Sequence, residues 1–349
     1  MTESTQHDLL SRLATFPLDP AHRRFRDNDE LVDHLEALPN VQVEEIGYSR
    51  LGGALYGVRV GEGDRKVSVI AGSHADEPIG PMTAQMLPAV LAQAFPELLE
   101  AYQFHIVPQM NPDGADVNRT WFEDPPELET YLRNAVREQP GDDIEFGFGA
   151  GDTVRPENQA AMAFLSAHGP YAAHFSLHGM AYAEGAWFLL CKEWGSRAED
   201  LMEDLADLCA RVKLPLHDID RGGDKGFTRL RPGFCTTPAS VAMRAHFEEA
   251  EDLETAAKFH PSSMEFVAGL GGDPLCMVSE LPLFHIGIPS VSLELPVYLR
   301  FKESLEKARA EGTAEAIQDL ARRYRLKPLP LETQIRMQIA MIILALDQV

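Results

Sequence analysis

Positive charge is scarce in this chain of 349 residues: 31 Lys and Arg stand against 54 Asp and Glu, a formal net charge of −23. A surface of that sign repels phosphate backbones and anionic lipid, so nucleic acid and charged membranes are set aside as partners. Cysteine is nearly absent as well. Cys191, Cys209, Cys235 and Cys276 are widely spaced and form no C-x-x-C pair, which excludes a thiolate zinc site and a disulfide framework. They read as reduced, partly buried apolar side chains. No uncharged apolar run approaches the roughly 18 residues that span a bilayer. The start, Met1-Thr-Glu-Ser-Thr-Gln-His-Asp8, has no basic segment followed by an apolar one, so the expected location is cytoplasmic. Low-complexity tracts and internal repeats are also missing. With 45% hydrophobic and 24% charged residues, the composition is that of a globular protein with a sizeable core.

Hydrophobic periodicity divides what is there. Residues 1–40 carry helical spacing, in Leu9, Leu10 and Leu13 and again in Leu31, Val32, Leu35 and Leu38, and read as an N-terminal helical lead-in to a single domain over 41–349. Strands are expected at Val41–Tyr48, Ala54–Val60 and Lys66–Ala71, the first two as a hairpin, with Gly52-Gly53 and residues 61–64 as turns. Pro81–Leu91 reads as a helix, Phe104–Val107 as a strand, Pro156–His168 as a helix and Ala173–Leu177 as a strand. The stretch 196–275 is less regular and is assigned to insertions around the site. A last strand is expected at Ser290–Leu295, before two C-terminal helices near 300–324 and 331–347. Strands alternating with helices predict an α/β fold with a mixed, mostly parallel central sheet and helices on both faces. Ligands in such sheets gather beyond the carboxyl ends of the strands.

Four segments carry chemistry. His74 and Glu77, in Gly72-Ser-His-Ala-Asp-Glu-Pro-Ile-Gly80, put an imidazole and a carboxylate three residues apart just after a strand. Both suit zinc at about 2.0–2.2 Å. A catalytic zinc needs one more protein ligand, and His178, closing the run His174-Phe-Ser-Leu-His178, is the candidate; His174 shares its face but lies deeper in the sheet. Asn118 and Arg119, on a turn-rich loop 111–121, offer a planar donor array that fits a substrate carboxylate, although a structural salt bridge would use the same residues. Glu294 is an acid inside the apolar run Ser292-Leu-Glu-Leu-Pro296. Beside a zinc it could take a proton from water and give it to a leaving amine, and otherwise it would pair with an arginine or a backbone amide.

In chain order these pieces resemble the zinc carboxypeptidases of the pancreatic type, including the related succinylglutamate desuccinylase/aspartoacylase branch. Residues 72–80 are similar to the family's H-x-x-E loop. Asn111-Pro-Asp-Gly114 and Asp116-Val-Asn-Arg119 resemble its N-P-D-G and D-x-N-R elements, Leu177-His-Gly179 its third-ligand strand and Leu293-Glu-Leu295 its catalytic glutamate strand. The resemblance implies one Zn2+ held by His74, Glu77 and His178. It implies further that Asn118 and Arg119 bind the substrate carboxylate and that Glu294 is the general base, then the acid. The activity implied is cleavage of an amide bond next to a free carboxylate, as by a metallocarboxypeptidase. Alternatives are an N-acyl amino acid deacylase of the second branch or a non-catalytic metal- or peptide-binding relative. The substrate would be a peptide or an N-acyl amino acid. One departure stands out: many members carry an oxyanion-binding arginine between the two elements, and here no arginine lies between Arg65 and Arg119. Arg155, Arg229, Arg231 or Arg119 itself are the substitutes considered, and Tyr182 and Tyr298 the candidates for a substrate-capping tyrosine.

Overall fold

The β-branched and aromatic runs between glycine and proline breaks form ten strands in the computed structural model, which describes residues 3–18, 28–122, 125–142, 144–151, 154–293 and 296–349. The strands are β1 (Val41–Tyr48), β2 (Ala54–Val60), β3 (Arg65–Ala71), β4 (Tyr102–Val107), β5 (Ala173–Ala183), β6 (Trp187–Leu190), β7 (Arg229–Arg231), β8 (Phe234–Thr236), β9 (Leu275–His285) and β10 (Lys327–Pro328). They build one sheet in the order β1-β2-β4-β3-β5-β9-β6-β8-β7, with β10 paired to β9. The centre is parallel: β4, β3, β5 and β9 run the same way. β1 and β2 add an antiparallel hairpin on one side, and β6 pairs antiparallel to β9 on the other.

Alternation along β3 shows how the two faces are covered. Val67, Val69 and Ala71 join the core that holds Met82, Leu87 and Leu91 of the helix Ile79–Ala94. Ile70 joins the opposite core, with Phe164 and Leu165 of the helix Pro156–His168. Burial on both faces is what a run of consecutive apolar residues requires of a parallel strand. The helix Leu331–Leu346 packs on the Ile79–Ala94 helix and on β5 and β9. At the N-terminus, the helices Glu3–Thr15 and Asn28–Glu36 lay Leu9, Leu13, Leu31 and Leu35 into the same large core.

Four expectations change. The strand expected to stop at Leu177 continues to Ala183, so His178 is not its last residue. It is instead the first residue beyond the end of β3, whose register with β5 closes at Ala71 opposite Leu177. The loop 111–121 contains a helix, Pro112–Asn118, started by the Asn111 side chain, which accepts the Gly114 amide at 2.9 Å. Residues 196–275 are not insertions alone, since they hold the helix Glu199–Arg211 and the edge strands β7 and β8. Finally, Ser290–Leu293 forms no strand, and Val291 is 85% exposed. The sheet's last long strand is β9, fifteen residues earlier at its start. Its Pro282 hides it from pattern reading, and is accommodated because the β6 register ends at Glu280 while that of β10 begins at Phe284.

Candidate metal centre

Where β3 ends, the chain makes a tight turn. Gly72 takes a positive φ of 78°, a backbone conformation that favours glycine over residues with a side chain. The Glu77 amide donates to the His74 carbonyl at 3.3 Å, and the helix Ile79–Ala94 starts at once. Gly80 lets that helix lie against β5; a Cβ there would meet the Leu177 carbonyl oxygen at 2.1 Å. The turn is thereby pressed against the point where β5 carries His178.

His74, Glu77 and His178 converge. His74 Nδ1 stands 2.9 Å from Glu77 Oε1, His178 Nδ1 3.0 Å from Glu77 Oε2, and the two Nδ1 atoms 3.2 Å from each other. Donors about 2.0–2.1 Å from a tetrahedral zinc are spaced by about 3.3 Å, so two imidazoles and a carboxylate at these separations fit one ion and leave a coordination position free. The outer atoms support the same orientation. His178 Nε2 lies 2.8 Å from Ser176 Oγ and 3.0 Å from Glu145, contacts of the kind that fix which ring nitrogen faces a metal. Glu77 Oε2 also accepts the Gly179 amide.

A cation sequence reading did not consider completes the cluster. Arg137 Nη1 donates to Glu77 Oε1 at 2.8 Å and to Asp76 Oδ1 at 3.2 Å, while the Tyr131 hydroxyl donates to Asp76 Oδ2 at 2.8 Å. Burial disfavours the Glu77 carboxylate, but His74 and Arg137 outweigh it and hold the group well below the usual carboxylate range. Burial likewise opposes charge on His178, and Glu145 and Glu77 reverse the outcome, raising the imidazole well above its ordinary value.

Glu280 comes from the strand that sequence reading missed. It is paired in register with His178 across β5 and β9, and it is the one part-exposed residue between Leu275 and Phe284. Burial, then the charge of Glu77, holds its carboxyl up to about 8. It lines a cavity of about 380 Å³ together with His74, Arg137, His178, Arg221 and Lys225. A second cavity of about 390 Å³, beside Glu184 and Asp218, holds none of these groups.

Among the described residues, Asn118, Arg119 and most of the other candidates fall elsewhere. Asn118 is fully buried with every side-chain hydrogen bond used: Nδ2 donates to the Gly114 and Val136 carbonyls, and Oδ1 accepts from Trp121 Nε1 and the Val136 amide. Arg119 pairs with Asp116 on the outer side of the helix Pro112–Asn118. Glu294 lies outside the described residues. Arg155 is held by Glu157 and Glu138, and Arg229 is bound in bidentate fashion by Asp218. The Arg231 guanidinium points to the Glu199 carbonyl. Tyr182 is core, packed on Phe284 and Phe301, while Tyr298 lies against His217 and borders the cleft, where burial and then the charge of Glu280 raise its hydroxyl. The sequence did signal Glu280, since Ser279-Glu-Leu-Pro282 nearly repeats Ser292-Leu-Glu-Leu-Pro296. Arg137 had no local signal.

Residues 29–184, which contain all three ligand candidates, match the zinc carboxypeptidase family Peptidase_M14. No curated protein matches the chain by sequence. Among solved structures, a metallo-carboxypeptidase from Burkholderia cenocepacia superposes with a TM-score of 0.51 at 16% identity, over 91% of this chain and 67% of its own. Bovine thrombin-activatable fibrinolysis inhibitor superposes with a TM-score of 0.50 at 14% identity, over 94% of this chain and all of its own. At these identities the likeness is one of fold. Among the described residues, no helix is long and apolar enough to cross a membrane.

Proposed function

We propose, from the match of residues 29–184 to the zinc carboxypeptidase family and from the cluster at the carboxyl ends of β3, β5 and β9, that the protein is a zinc-dependent hydrolase cleaving the amide bond next to a free carboxylate. The convergence of His74, Glu77 and His178 at mutual distances of 2.9–3.2 Å carries the reading. Zinc, when bound by these three, supplies a Lewis acid that polarises a carbonyl and acidifies water.

The chain's own residues do the rest. In its ionised form, which the positive charge of a bound zinc would favour against the burial that raises it, Glu280, beside His178 and open to the cleft, takes a proton from the attacking water as the C–O bond forms. It then delivers that proton to the amine nitrogen as the C–N bond breaks. Arg137 keeps Glu77 ionised and brings a fixed positive charge to the cavity wall, where negative charge develops on the carbonyl oxygen. Both of its contacts use Nη1, leaving Nη2 and Nε without hydrogen bonds among the described residues. Glu145 and Ser176 hold the His178 ring. The proton transfer first given to Glu294 passes in this reading to Glu280, and the oxyanion role for which Arg119 was considered passes to Arg137. The four thiols are free, which favours action in a reducing cytoplasm.

The test is a substrate panel on protein of measured zinc content: N-blocked peptides with free carboxyl ends against N-acyl amino acids. About one zinc per chain with turnover of the peptides supports the proposal. Turnover of N-acyl amino acids alone moves the activity to deacylation, and protein that neither binds zinc nor gains hydrolysis from it contradicts the proposal.

A further inference from the structure

Cys191 and Cys276 are far apart in the chain but neighbours in the sheet. β6 and β9 are antiparallel, with Leu190 opposite Met277 as the last pair of their register, so the next position sets Cys191 opposite Cys276. The Cys191 amide donates to the Cys276 carbonyl at 2.9 Å, and the Cys276 amide donates to the Cys191 sulfur at 3.4 Å. Both side chains pack on one apolar cluster, with Trp187, Met264 and Val278. We propose that this thiol pair is a modification site, at which a peroxide forms a reversible disulfide that ties together the two ends of the segment 192–275.

Hydrogen-bonded residues facing each other across antiparallel strands have Cα atoms about 5.5 Å apart, inside the range of about 4.4–6.8 Å that a disulfide spans. Cys191 is part-exposed, whereas Cys276 is buried. They differ as an attacking and a resolving thiol should. Interaction with the Cys276 thiol lowers Cys191 from its usual value in spite of burial, while the same interaction, reinforced by burial, raises Cys276 well above its own. Burial lifts Cys209 to about 12 and Cys235 to about 11, which keeps both as unreactive thiols. The Cys191 thiolate attacks the peroxide: an S–O bond forms, the O–O bond breaks, and the departing hydroxide takes up the proton that Cys191 gave up and leaves as water. Cys276 then loses its proton and attacks the Cys191 sulfur. The S–S bond forms, the S–O bond breaks, and the released hydroxide leaves with that proton as a second water. Two thiols are oxidised and one peroxide is reduced.

The segment between the two cysteines carries much of the cleft wall, including Phe227, Met243, Phe247 and Met264. Its ends are otherwise joined at the surface by the exposed ion pair of Arg197 with Asp273, at 2.6 Å, a contact of a kind that contributes little. A covalent bond at the same place closes the whole segment into a loop and restricts it when it opens. In a reducing cell, small thiols break the bond again, which suits a transient mark rather than a permanent bridge. The chemistry needs neither zinc nor a peptide.

The test treats the purified protein with a small excess of hydrogen peroxide and counts thiols after unfolding. The expected result is loss of two of the four thiols, a non-reducing digest in which mass spectrometry finds Cys191 linked to Cys276, and return of both thiols on reduction. Proteolysis within 192–275 of the native oxidised protein should be slowed about 10-fold, and the slowing should vanish in Cys191→Ser. Cys276→Ala should stop at a sulfenic acid on Cys191, trapped by dimedone. Four surviving thiols, a lone oxidised thiol, a link between other cysteines, or a pair of thiols still lost in Cys191→Ser would overturn the proposal. So would a bond between Cys191 and Cys276 that leaves proteolysis of the segment unchanged.

Discussion

Buried histidines in this protein do two different things, and their partners decide which. His178 faces carboxylates and is pushed toward its charged form, whereas His174, four residues earlier on β5, faces hydroxyls: Ser68 Oγ lies 2.8 Å from its Nδ1 and Ser263 Oγ 3.1 Å from its Nε2. Burial pushes His174 down to about 3, against a small pull from Glu145. A depressed folded value means stability that is complete above the unfolded value of about 6.5 and is lost as pH falls toward 3. Between pH 7 and 4.5 this group should cost about 3 kcal/mol. His174→Gln, which cannot charge, should make the pH dependence of urea unfolding shallower by about that amount over the same interval; parallel curves for the two proteins would count against a neutral buried imidazole. His74 and Glu77 were legible in the sequence because their spacing is local and one turn brings them together. Arg137 was not, since nothing near it in the chain announces contact with a residue sixty positions earlier. Asn118 was misjudged because its helix, Pro112–Asn118, turns the amide inward to Gly114 and Val136.

At the level of elements, the site depends on how closely the helix Ile79–Ala94 approaches β5. Gly80 is the contact point, with no room for a methyl group before the Leu177 carbonyl. Gly80→Ala must push the helix away from backbone that belongs to a central strand, at a cost of about 1–3 kcal/mol. Because the His74–Glu77 turn leads straight into that helix, the same change should separate Glu77 from His178 and weaken zinc binding. Thermal unfolding and zinc titration of the variant check both effects, and unchanged values in both would show that the turn is positioned independently of the helix. The elements were mostly legible from periodicity: β1, β2 and the helix Pro156–His168 have their expected bounds. The exception is instructive. The last strand was expected around Glu294, whereas the long strand there is β9, around Glu280, and it carries Pro282 in its interior, a residue that argues against a strand.

Across the whole molecule, a chain of net charge −23 brings Arg137, Arg221 and Lys225 to one cleft, so the charge that matters for an anionic substrate is local rather than global. That cleft exists because β3, β5 and β9 are parallel neighbours whose carboxyl ends lie side by side, placing residues 74, 77, 178 and 280 within one site despite their separation in sequence. The most direct measurement is kcat/KM and zinc content of Glu280→Gln beside the unaltered protein. The account predicts about one zinc per chain in both and a loss of about 10²–10⁴-fold in kcat/KM for a peptide with a free carboxyl end. Retained activity, or a loss that follows loss of zinc, would contradict the assignment of proton transfer to Glu280.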